Sequence, residues 1–191
     1  MFGHLVKAVM LLTFPALVFY GGVQIMSKLS DRDYVTKRLR DKLNPYDATS
    51  LSQRMTGYDL DAVSRHWGAL DDRARMSEAR FLEMDLVFPF FYGGALAGAL
   101  LLAWAALGRP FHPAWLVGPI AITVAADWIE NLVQLGQLRR YAESGTEGLQ
   151  SGWIWIASAA TIVKLAGVLA ATVLLLCLTV WMVVRTPAST P

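Results

Sequence analysis

Four long apolar runs constrain this chain more than any other feature. They cover about residues 5–26, 84–107, 114–138 and 153–184. Each reaches the roughly 20 apolar residues that a helix needs to cross ~30 Å of hydrocarbon. Inside lipid the backbone must satisfy its own polar groups, and no alternating strand pattern is evident, so the expected element is the helix. The predicted fold class is all-α membrane: a four-transmembrane-helix bundle, read as a single integral membrane domain over residues 1–191. A helical extramembrane cap, about residues 28–83, is expected between the first and second spans. Charged residues make up only 17% of the chain, against about 25% in an ordinary soluble domain.

The first run, "AVMLLTFPALVFYGGVQIM", is longer than the apolar core of a signal peptide and is followed by no clear small-x-small cleavage pattern. It is read as a retained anchor. Cys177 is the single cysteine and sits in the last run; it is read as a packing residue and leaves the redox compartment open. A net charge of +2 is too small to argue for nucleic acid, and no nucleic-acid partner is expected.

The charged segment after the first run carries helix signals. In "SDRDYVTKRLRDKL", Ser30 is placed to cap a helix with Asp31 and Asp33 in its first turn, and Val35, Leu39 and Leu43 recur at four-residue spacing. "NPY" interrupts at Asn44–Tyr46. In "DLDAVSRHWGAL", Leu60, Val63, Trp67 and Leu70 share a face. Asp71 or Asp72 then caps a third helix. No breaker intervenes before Pro89, so residues 72–107 are expected to form one rod of about 54 Å. The short connection "GRPFHP" makes spans two and three antiparallel neighbours. Lys and Arg concentrate in residues 27–83 and 139–152, while the opposite side holds Lys7, Arg109 and Arg185. This asymmetry places the cap in the cytoplasm and both termini outside, although interleaved acids leave export of a charge-balanced cap open.

The third run is where chemistry concentrates. In "AITVAADWIENLVQLGQLRR", Asp127, Glu130, Asn131 and Gln134 follow i, i+3, i+4, i+7 spacing and line one stripe. Span two offers Asp85, Pro89 and Tyr92; span four offers Ser158, Thr161 and Lys164; span one offers Tyr20 and Gln24. In an antiparallel pair, residues equidistant from the connection lie level. That puts Asp127 level with Lys164, Glu130 with Thr161, Gln134 with Ala157, Tyr92 with Ile129 and Asp85 with Gly136. Asp127 and Lys164 then lie about 18 Å below Arg139 by helical rise. Charges in hydrocarbon are costly, so they should face the interior and pair. The simplest arrangement is an Asp127–Lys164 ion pair with Glu130 as competitor.

The charges do not balance, because Asp85, Asp127 and Glu130 face one lysine. The remedy is a protonated carboxyl, water from the cap side, a bound cation or a cationic ligand. Arg80 could reach Asp85 and relieve part of the excess. The bland alternative is that the polar groups only fix helix register, as the "GG" and GxxxG glycines Gly93, Gly94 and Gly98 fix close packing. Of the three histidines (His4, His66 and His112) none falls in a polar stripe. No pair stands at metal-ligand spacing, and neither a metal nor a cofactor is expected. His66 is read as a surface histidine.

The motifs Asp-x-x-x-Pro (Asp85, Pro89), Asp-x-x-Glu-Asn (Asp127, Glu130, Asn131) and the lysine of "IVKLAG" (Lys164) resemble those of an uncharacterised group of bacterial four-span membrane proteins. The resemblance covers about residues 57–170 and implies a bacterial inner membrane; it carries no activity. The candidate ligand or ion-pair site is Asp85, Tyr92, Asp127, Glu130, Asn131, Gln134, Thr161 and Lys164. The first function reading is a non-enzymatic protein that binds a small ligand, lipid or protein partner through a polar intramembrane cleft, or serves as an accessory subunit of a membrane complex. Membrane lipids, a membrane-protein partner or a second copy of the chain are its expected partners. Two alternatives stay open. One is an intramembrane enzyme using Asp127 and Glu130 on a lipid or isoprenoid, and the other is a proton- or cation-coupled transporter acting as an oligomer.

Overall fold

A computed structural model describes residues 2–185, without the side chains of Phe2 and His4. Residues 186–191 and the His4 side chain lie outside the described residues. Seven α-helices follow in order: α1 (Phe2–Leu29), α2 (Arg32–Lys42), α3 (Leu60–Gly68), α4 (Asp72–Met84), α5 (Phe88–Ala106), α6 (Ala114–Ser144) and α7 (Ser151–Arg185). Short 3₁₀ turns occupy Leu51–Gln53 and Gly145–Gly148. No strand occurs among the described residues. Four stretches are long and apolar enough to cross a membrane: Leu5–Leu29, Asp72–Ala106, Ala114–Gly148 and Ser151–Arg185.

The α6–α7 hairpin is the spine, with α5 against both helices and α1 outermost on α5 and α7. Two apolar cores lie at different heights along it. One joins Leu100, Leu116, Ile120 and Leu175 of α5, α6 and α7. The other joins Leu135, Leu138 and Ile154 of the hairpin to Val35, Leu39, Val63, Trp67 and Leu82 of α2, α3 and α4. The periodic faces predicted for residues 32–70 are thus buried, α2 against α4 and α3 against α7 at the hairpin's end. Between the two cores, α6 and α7 carry the polar stripe. Close approach of the helices rests on glycine at two points. A Cβ on Gly93 would stand 2.6 Å from Val124, and one on Gly167 would collide with Thr123. The GxxxG expectation is corrected in detail, because a Cβ on Gly94 or Gly98 would meet no described atom within 4 Å, and both line an open groove beside α1.

The expected rod over residues 72–107 is broken. Helix α4 stops at Met84 and α5 starts at Phe88. Proline has no N–H, and its ring clashes with the carbonyl four residues back. For Pro89 that carbonyl belongs to Asp85, which therefore needs another donor. Asn131 supplies it, with Nδ2 donating to the Asp85 carbonyl at 3.0 Å. Trp128 does the same one residue on, with Nε1 donating to the Leu86 carbonyl at 2.9 Å. Two side chains of α6 thus stand in for the missing helical bonds of its neighbour.

The caps are mixed. Asp59 and Asp71 accept from the backbone N–H groups of Ala62 and Ala74, starting α3 and α4 as short-side-chain caps do. Ser30 does not cap α2; its hydroxyl donates back to Met26 at 2.7 Å, and Asp31 takes the turn in a left-handed conformation.

Candidate functional site

The stripe spacing on α6 turns Asp127, Glu130, Asn131 and Gln134 toward α7 and α5, and none is more than 3% exposed. Lys164, one turn beyond Thr161 on the same face of α7, lies opposite. Its Nζ stands 3.0 Å from Asp127 Oδ1 and also pairs with Glu130. The expected competition between the two acids is resolved as sharing. Tyr92 of α5 donates its hydroxyl to Asp127 Oδ2 at 2.8 Å. Asn131 Nδ2 reaches Asp127 Oδ1 at 3.3 Å as well as the Asp85 carbonyl. Gln134 Nε2 donates to Glu130 Oε1 at 3.0 Å. Thr161 is fully buried, but its hydroxyl donates to the Ala157 carbonyl.

Three expectations about this region are corrected. Asp85 is buried, and its backbone lies beside Asn131 rather than level with Gly136. The break before Pro89 changes the register that equal spacing from the connection assumes. Arg80 is exposed and makes no ion pair among the described residues; the base near Asp85 is Arg32 of α2, whose charge Asp85 supports. Span one sends neither Tyr20 nor Gln24 inward, since both are exposed. It contributes Phe19, whose ring meets Tyr92 edge-on with centroids 5.8 Å apart.

The residue that sequence reasoning missed is Tyr58. The turn before α3 descends onto the cluster, and Gly57 adopts φ +77° against α7, where a Cβ would collide with Ser158. Ser158 Oγ accepts from the Tyr58 backbone N–H at 2.8 Å. The Tyr58 hydroxyl accepts from Gln134 Nε2 at 2.9 Å. Burial, and then the charge of Glu130, push the Tyr58 hydroxyl above its ordinary value, so it stays protonated at neutral pH. Tyr58 therefore plugs the cluster from the side of α2 and α3. The Gly-Tyr dipeptide was visible in the sequence, but no periodicity pointed its side chain inward.

A second buried polar group lies in the segment between α1 and α5. Arg32 pairs with Glu78 and donates to Ser50 Oγ at 2.7 Å. Burial lowers Arg32 to about 10, opposed by Asp85, and it remains charged at neutral pH. His66 is corrected from surface to core: it is 0% exposed, and neither ring nitrogen has a hydrogen-bond partner among the described residues. Burial, then Arg32 and Arg54, push it down to about 3, so it is a neutral ring.

Donors and acceptors do not match in the main cluster. Two carboxyl groups share one ammonium. The Asn131 amide is oriented by its two acceptors, Asp127 and the Asp85 carbonyl, because the flipped amide would set oxygen against oxygen. Its Oδ1 is then enclosed without a donor among the described residues. Among the described residues, no three His, Cys, Asp or Glu side chains converge as a metal-holding group. No protein-family model, curated protein or solved structure matches this chain.

Proposed function

We propose that this chain is an integral membrane protein whose buried acidic cluster binds a small hydrogen-bond-donating cation. In this reading the four long helices cross the bilayer as one domain. Residues 28–83 form the cap on the cytoplasmic side, as the distribution of Lys and Arg favours. The observation that carries the reading is the shortage of donors. Asp127 and Glu130 share Lys164, and the Asn131 Oδ1 beside them has no partner among the described residues. A buried acceptor without a donor costs about 1–3 kcal/mol, and surplus carboxylate costs more unless something neutralises it. A protonated primary amine meets both needs, with positive charge and N–H groups in one compact body. Displacing the Tyr58 plug would open the route from the cap.

The test is thermal unfolding of the reconstituted protein with methylammonium, and with tetramethylammonium as a cation of equal charge that has no N–H group. Methylammonium should raise the midpoint in proportion to RT ln(1 + [L]/Kd), about 1.4 kcal/mol at tenfold excess over Kd. Tetramethylammonium should not. Glu130→Gln, which keeps the hydrogen bond to Gln134, should abolish the shift. No shift with methylammonium, or an equal shift with both cations, overturns the reading.

A further inference from the structure

A cavity of about 530 Å³ opens where α1, α2, the 45–53 turn and Phe81 of α4 meet. It lies outside the acidic cluster and shares no residue with it. Its charged lining is all of one sign: Arg32 and Arg40 are present and no carboxylate is. The Arg32 guanidinium is fixed by Glu78 and sits 4.5 Å above the Phe81 ring. One N–H group goes to Ser50 Oγ, which is 3.1 Å from Ser52 Oγ. Beyond Glu78 and Ser50 for Arg32, and Ser50 for Ser52, the Arg32 guanidinium, the Ser52 hydroxyl and the Gln53 amide have no hydrogen-bond partner among the described residues. Arg40 is exposed and makes no ion pair there. The lining also holds apolar side chains, Val23, Leu39 and Phe81 among them, with the Phe81 ring directly under the Arg32 guanidinium.

Two arginines, hydroxyl and amide donors and apolar side chains lining one cavity make an amphipathic anion site. Arginine's planar fork matches phosphate oxygens in pairs. A volume of several hundred Å³ takes a body much larger than a bare anion. We propose that this cavity binds a phosphate group carried on an apolar body, with the phosphate on Arg32, Arg40 and Ser52 and the body against Val23 and Phe81. A phospholipid has this form, and so has a soluble phosphate ester. Val23 and Ser27 lie in the last turns of α1, the level of the headgroups if α1 spans the bilayer. The lipid source rests on the membrane placement proposed above. The phosphate chemistry does not.

Native mass spectrometry of the full chain from nanodiscs of phosphatidylcholine mixed with phosphatidic acid distinguishes the cases. The wild type should retain one phosphatidic acid in preference to phosphatidylcholine. Arg40→Gln, a change at an exposed and unpaired side chain, should reduce that retention about tenfold, the scale of one lost charge-assisted bond. Arg32→Gln combined with Glu78→Gln removes both members of the buried pair and should abolish retention. Lys37→Gln, on the same helix outside the cavity, should leave it unchanged. A millimolar excess of inorganic phosphate or glycerol phosphate serves as competitor. Displacement assigns the site to the phosphate group alone, and resistance assigns it to the lipid. Equal retention of the two lipids without inorganic phosphate binding overturns the proposal. So does retention indifferent to Arg40 and Arg32. Neither result bears on the amine site, whose residues are untouched by these changes.

Discussion

At the scale of single residues, the decisive fact is that Lys164 serves two acids. A test based on Asp127 and Lys164 alone is then incomplete, because Lys164→Met combined with Asp127→Leu still strands Glu130. Breaking a buried pair from one side costs about 3–5 kcal/mol, since the remaining charge is uncompensated. The expected order of destabilisation is Lys164→Met first and the Asp127→Leu double change second. The triple change that adds Glu130→Gln should be least destabilised. Denaturant unfolding in detergent measures it, and a triple mutant less stable than the single would contradict the shared pairing. His66 makes a separate prediction. Its folded value of about 3 lies below the ordinary value of about 6.5. Between those limits the unfolded chain binds the proton that the folded chain refuses, so stability rises with pH and is lost as pH falls. At pH 5 the loss is about 2 kcal/mol for this one group. Amide exchange in α3 should quicken accordingly on acidification, and His66→Phe should flatten the dependence. The Asp127–Lys164 meeting was legible because two straight helices joined by a short connection behave as a ruler. Neither the burial of His66 nor the inward turn of Tyr58 was legible. Both depend on irregular turns that carry no period.

At the scale of elements, the break between α4 and α5 is made jointly by Pro89 and Asn131. Pro89 denies the Asp85 carbonyl its helical donor, and Asn131 replaces that donor. Removing Asn131 alone leaves the carbonyl bare, at a cost of about 1–3 kcal/mol. Replacing Pro89 with alanine restores an N–H that can close the turn. A double-mutant cycle of Asn131→Ala and Pro89→Ala should therefore show favourable coupling of about 1 kcal/mol, the double mutant being more stable than the sum of the single losses allows. Additivity would mean that the two residues act independently. Sequence reasoning found the proline and expected the helix to pass it, because no breaker precedes it after residue 72. What it lacked was the partner on α6, two segments further along the chain. The same nonlocality explains Arg32, which replaces Arg80 as the base beside Asp85.

At the scale of the whole molecule, four long apolar helices and the antiparallel neighbours among the last three could be read from hydrophobic run lengths and connections; the place of α1 on α5 and α7 could not. The polar layer between two apolar cores could be read as a spacing on α6. The way α2 and α3 close over the hairpin could not, because their amphipathic faces specify burial without specifying against what. The layer joins three helices through unlike groups: Tyr92 from α5, Asp127 and Glu130 from α6, and Lys164 from α7. If these helices enter a bilayer in the order of synthesis, the second of the four emerges with two bare carbonyls and the third with two acids that have no counter-ion until the fourth arrives. Biogenesis therefore favours holding the last three segments together in the translocation machinery and releasing them as a unit. A ribosome stalled before residue 164 would leave an intermediate that quality-control proteases can recognise by its unmet polar groups.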